Sequence, residues 1–110
     1  MRIIFLPEAL EYFNELTTIL YQNEYFGFEE SALNYVDELI DEINNSLHLR
    51  IKNPAPVPFE KFGKGLFYCS FRKNKHTTWY VFFTQYQIKD ERVYLVRHIS
   101  NDHEISSRYL

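Results

Sequence analysis

Thr77-Thr78-Trp79-Tyr80-Val81-Phe82-Phe83-Thr84-Gln85-Tyr86 contains no glycine, proline or charged residue, and every position but Gln85 is aromatic or β-branched. A run of that composition reads as a strand. Two shorter runs of the same kind flank it, Leu66 to Arg72 before and Arg92 to Ser100 after. The links between them, Lys73-Asn74-Lys75-His76 and Gln87-Ile88-Lys89-Asp90-Glu91, are short and polar. Links of that length join antiparallel neighbours, so the three runs predict a meander.

Upstream the period changes. Ile3, Ile4, Phe5 and Leu6 form a brief apolar run that predicts a buried strand, and Pro7, which has no N–H to give a ladder, ends it and opens a helix. Leu10, Phe13, Leu16 and Leu20 then recur at helical spacing, which predicts one apolar stripe on a first helix. Tyr25-Phe26-Gly27-Phe28 is a break. A longer helix is predicted from Glu29, with Ala32, Val36, Leu39, Ile40, Ile43 and Leu47 on one face. Glu29 and Glu30 suit its positive end, and His48 and Arg50 its negative end. Asn53-Pro54-Ala55-Pro56-Val57-Pro58 reads as an extended connection finishing at Gly63-Lys64-Gly65, because three prolines in six residues remove three donors. The expected fold is α+β: a small β-α-α-β-β-β domain, its antiparallel sheet covered on one face by two helices.

The 110 residues fit one domain, residues 1–110. Ten phenylalanines, nine tyrosines and one tryptophan supply apolar surface for a packed core and exclude a disordered chain. The single cysteine, Cys69, excludes an internal disulfide or a cysteine-built zinc site, and suits a reducing cytoplasm. No apolar run approaches the ~18 residues that mark a membrane span. The N-terminal apolar run is too brief for a signal peptide.

Charge is divided unevenly. Residues 1–49 hold ten acidic residues and one basic, Arg2, for a net −9. Residues 50–110 hold eleven basic residues and five acidic, for a net +6. The overall −3 conceals this division. Either the strand-forming half meets nucleic acid or an acidic partner, or the halves are two solvated faces of unlike composition.

Phe71-Arg72-Lys73-Asn74-Lys75-His76-Thr77-Thr78-Trp79-Tyr80-Val81-Phe82-Phe83 carries a basic residue into an aromatic strand. Val93-Tyr94-Leu95-Val96-Arg97-His98-Ile99-Ser100-Asn101-Asp102 places an arginine ahead of a polar turn, and Glu104-Ile105-Ser106-Ser107-Arg108-Tyr109-Leu110 ends the chain. In these segments and in element order the sequence resembles the RelE/ParE superfamily of toxins from bacterial type II toxin–antitoxin systems. The resemblance implies growth inhibition by one of two routes. RelE-like members are ribosome-dependent mRNA endoribonucleases (mRNA interferases), and ParE-like members inhibit DNA gyrase without being nucleases. A degenerate, non-toxic member retaining only antitoxin binding is a third reading. All three imply a cognate antitoxin as partner, a cytoplasmic location and no membrane. The sequence pI near 5.8 is lower than the strong ribosome-dependent nucleases of the family show, which keeps the gyrase alternative open.

Metal-independent RNA cleavage needs no cofactor. It needs a base for the 2′-OH, charge at the phosphorane and an acid for the 5′-oxygen. Arg72 and Arg97 are the candidates for charge, and His98, His103 and Tyr109 for proton transfer. Arg72, Lys73, Lys75 and His76, grouped at one turn, are the candidate nucleic-acid contacts. Each has an ordinary alternative: a solvated turn for the basic cluster, an ion pair with the acidic helices for Arg97, and terminal packing for Tyr109. No metal site is expected from His98, Asp102 and His103, whose spacing lacks zinc specificity. Parity puts Tyr68, Ser70 and Arg72 on one, more polar, sheet face that is expected to be open. Arg97 and His98 are adjacent, so they point to opposite faces unless a bulge intervenes.

Overall fold

A computed structural model describes residues 1–22, 29–75, 77–102 and 110. Its middle strand is the run quoted first, extended to Thr77–Ile88. In chain order the strands are β1 (Arg2–Phe5), β2 (Asn53–Pro54), β3 (Phe67–Asn74), β4 (Thr77–Ile88) and β5 (Glu91–Asn101). They form one sheet in the order β1-β5-β4-β3-β2. β3, β4 and β5 are the expected meander. The β4–β5 turn is tighter than the polar link suggested: Ile88 pairs with Glu91, and Lys89 takes a left-handed φ of 56°.

The expectation of an antiparallel sheet is corrected at one edge. β1 runs parallel to β5, from Arg2 opposite Val93 to Phe5 opposite Val96. No hairpin ties these two strands. The whole helical half and strands β2 to β4 lie between them, so connection length leaves the direction free.

Two helices, α1 (Pro7–Gln22) and α2 (Glu29–Ser46), cover one face of the sheet. Ala9, Phe13 and Leu16 from α1 and Val36, Leu39 and Ile43 from α2 meet Cys69, Phe71, Trp79, Val81, Phe83, Tyr94, Val96 and Ile99. The stripe on α1 is rotated from the expected one: Leu10 is exposed and Ala9 is buried. The α-helical part of the second helix stops at Ser46, and Leu47–Leu49 is a 3-10 turn. Arg50 therefore lies beyond the helix. Its guanidinium donates to Glu42 Oε1 at 2.7 Å and lies 4.3 Å from the centre of the Phe71 ring. Trp79 Nε1 donates to the Tyr35 hydroxyl at 2.9 Å, so the buried indole is satisfied from the helical layer.

The second sheet face is not open along its length. Val57–Phe62 is a 3-10 helix within the region expected to be extended. Prolines at its start are compatible with the first turn, and the three-residue period puts Phe59 and Phe62 in line. Phe59 stacks on Phe82 at 4.5 Å, and Leu66 and Leu110 complete a second, smaller core. The middle of β4, Val81 to Thr84, is thus buried on both sides.

Phe59→Ala removes a ring that is 1% exposed and is expected to cost about 3–4 kcal/mol of unfolding free energy in a urea titration. Val57→Ala, two residues away and 74% exposed, is expected to change it by less than about 0.5 kcal/mol.

Candidate functional site

The pairing of β4 with β5 slips by one residue between Phe82 and Phe83: Phe82 faces His98 and Phe83 faces Val96. Arg97 is the extra residue. This bulge brings Arg97 and His98 to the same face, the one opposite the helices, where a regular strand would separate them. Arg97 Nε donates to Thr84 Oγ1 at 3.2 Å, and its NH2 group to the Tyr86 hydroxyl at 3.4 Å. Among the described residues no carboxylate forms an ion pair with Arg97. Its guanidinium is held by hydroxyls rather than by a described carboxylate.

Gly63 closes over this arginine. Its φ of 146° lies in the region that favours glycine, and a Cβ there would stand 3.1 Å from Arg97 Cδ. The 3-10 helix that ends at Phe62 also supplies the His98 environment. The Phe62 and His98 rings are parallel within 7° at 3.7 Å, and Phe82 lies at 5.5 Å. Burial, and secondarily the nearby Lys61 charge, push the His98 imidazole down to about 4. At neutral pH it is an uncharged ring, weak as a proton acceptor. Tyr86 is shifted in the direction catalysis favours: hydrogen bonds with Thr84 and then Arg97 pull its exposed phenol below the usual value. Cys69 is buried and its thiol is pushed up to about 12, so it is not a nucleophile.

The remaining candidates are dispersed. Arg72 is exposed at the far end of β3, opposite Thr78, and donates to the Lys75 carbonyl at 3.4 Å across the turn. Four residues of β4 and two strand spacings separate it from Arg97, on the order of 15 Å, so the two guanidinium groups are not placed on one phosphate. Lys73 turns toward the helices. Its Nζ lies 3.8 Å from Glu38 Oε2 and 5.3 Å from the centre of the Tyr35 ring, a tie between layers. Lys75 is exposed at the turn. His76, His103 and Tyr109 lie outside the described residues. Thr84, Tyr86, Phe62 and Gly63 were not among the sequence candidates. Thr84 and Tyr86 share parity with Phe82 on β4, which was the available signal; nothing local pointed to Phe62.

A cleft of about 540 Å³ adjoins this cluster, with Lys61, Phe62, Arg97 and His98 on one wall and Glu8, Glu11, Tyr12 and Glu15 of α1 on the other. Among the described residues no three His, Cys, Asp or Glu side chains group as a metal site would need, and no helix is long and apolar enough to cross a membrane. Comparison with protein-family models, curated proteins and solved structures finds no match to this chain. The class defined is therefore the fold itself, α+β with a five-stranded mixed sheet and two main helices.

Because the folded His98 pKa lies below its ordinary 6.5, protonation favours the unfolded chain. The stabilisation is present in full above about pH 6.5 and is lost as pH falls toward 4. Urea midpoints measured from pH 7.5 to 4 are expected to fall more steeply for the wild type than for His98→Phe, which keeps the stack without the titration.

Proposed function

We propose that the chain is a toxin of the RelE/ParE kind that cleaves mRNA on the ribosome without a metal, with the Arg97–Thr84–Tyr86 cluster at its centre. The observation that carries this reading is the β5 bulge, which sets an arginine lacking a described carboxylate partner beside a phenol of lowered pKa on the non-helical face. The RNA 2′-oxygen attacks the adjacent phosphorus as its proton passes to a base, and the 5′-oxygen leaves with a proton from an acid. The products are a 2′,3′-cyclic phosphate and a 5′-hydroxyl. Arg97 meets the charge that grows on the phosphorane oxygens. Tyr86, held by Arg97 and Thr84, moves protons. Neutral His98 shapes the floor and accepts or donates a hydrogen bond without carrying charge. Such a toxin acts in the cytoplasm and is held in check by a cognate antitoxin.

One observation favours a second reading. Arg72, near the β3–β4 turn, and Arg97, at mid-length of β5, stand far apart on the face, an arrangement suited to a broad protein interface. A ParE-like grip on DNA gyrase would use them so.

Induction in a bacterium, with primer extension on a reporter mRNA, separates these readings. Cleavage at codon boundaries is expected to fall by about a hundredfold or more with Arg97→Ala, as when a transition-state charge donor is removed, and to fall also with Tyr86→Phe. Intact mRNA with gyrase-dependent DNA breaks would establish the second reading. No growth defect would overturn both.

A further inference from the structure

The two outermost strands of the sheet, β1 and β2, present different edges. β2 is two residues long and includes Pro54, which blunts it against further pairing. β1 contains no proline. In a parallel pair, alternate residues turn their main-chain groups toward the neighbour. The Leu6 N–H donates to the Val96 carbonyl at 2.9 Å, and Phe5 stands opposite Val96, so the residues that face β5 are Arg2, Ile4 and Leu6. Ile3 and Phe5 turn their N–H and C=O groups outward, where neither has a hydrogen-bond partner among the described residues. The Ile4 side chain, on the face opposite the helices, is 37% exposed. Arg2 and Glu8 are exposed, and neither forms an ion pair among the described residues.

We propose that β1 pairs antiparallel with β1 of a second copy of this chain, about a two-fold axis at Ile4. In that register Ile3 stands opposite Phe5 of the second copy, and Phe5 opposite its Ile3. Two outward-facing residues set opposite each other exchange both of their N–H···O=C bonds, so every outward group of Ile3 and Phe5 is satisfied. Ile4 meets Ile4 of the second copy as a non-hydrogen-bonded pair, the closer of the two kinds, and covers its exposed apolar surface. Arg2 comes opposite Leu6 of the second copy, two residues from Glu8. A cation at one end of the strand thus meets an anion at the other, once on each side of the axis. That charge match, with the closed hydrogen-bond register, selects a second copy as the occupant. One patch meeting itself closes at two copies and builds no filament. The seam is short, because Pro7 ends the strand, so a dissociation constant on the order of 10–100 μM is expected. The proposal rests on this edge alone and is independent of RNA cleavage.

Sedimentation of the full chain from about 5 to 500 μM is expected to show a monomer–dimer equilibrium. Over the same range, amide exchange is expected to slow at Ile3 and Phe5 and to stay constant at Ile4, whose N–H already faces β5. Ile4→Lys sets like charges across the axis and is expected to weaken association by about tenfold or more, with a melting temperature near that of the wild type. Arg2→Glu is expected to weaken association, and Arg2→Glu/Glu8→Lys to restore it. Ile4→Cys is expected to cross-link two copies under mild oxidation and Ile3→Cys is not, because only residue 4 faces its own counterpart and Cys69 is buried. A monomer throughout the range, exchange at Ile3 and Phe5 that ignores concentration, a dimer that survives Ile4→Lys, or no cross-link in Ile4→Cys would each overturn the proposal. The exchange measurement on the unmodified protein decides the question even if a variant fails to fold.

Discussion

The middle of β4 is buried on both faces, and the rest of the structure answers that constraint. Val81 and Phe83 point to the helices while Phe82 and Thr84 point the other way, and all four are buried. A strand so placed needs a layer on each side. On one side α1 and α2 supply it. On the other the cover is slight, a 3-10 helix that reaches Phe82 through Phe59. Because that cover is short, it protects the middle of the face and leaves its ends accessible. Its C-terminal end sets Phe62 against His98 and Gly63 against Arg97, so the element that completes the core also builds the site.

The division of charge has two physical uses. Arg50 to Glu42 and Lys73 to Glu38 join the basic, strand-forming half to the acidic helices, and both cations also lie over aromatic rings. Pairs of this partly exposed kind contribute modestly to stability, but they account for charges that sequence alone would offer to a ligand. Arg97 is different. It bonds two hydroxyls, and the nearest acidic wall, on α1, stands across a cleft without an ion pair to it. The asymmetry is thus part scaffold and part cationic charge facing a cleft, and only contact geometry distinguishes them.

Much of the layout was legible because periodicity reports burial directly. The meander follows from aromatic and β-branched runs joined by short polar links, and the core face of α2 from a period-3.6 pattern whose apolar residues must leave water. Three features escaped that logic. The direction of β1 did, because a short apolar run looks the same in either orientation. The 3-10 helix did, because prolines at Pro56 and Pro58 argue against a regular helix or strand while permitting a tight turn. The shift of the α1 stripe from Leu10 to Ala9 did, because small and large apolar residues compete for a face that only the packed sheet selects.

The candidate site divides along the same line. By itself the sequence determined which residue types were present for anion binding and proton transfer, and that Arg97 stood within an apolar strand where a charge demands an explanation. It also determined that Arg97 and His98 could share a face only through a bulge. Tertiary structure decided that the bulge exists, because the paired strands must bury Phe83 and Val96 toward the helices and Phe82 toward Phe59. It decided too that Lys73 serves the scaffold, that Tyr86 joins Arg97, and that His98 stays neutral. Each of these depends on partners distant in the chain, and hydrogen bonding and desolvation act through space, where local pattern carries no record of them.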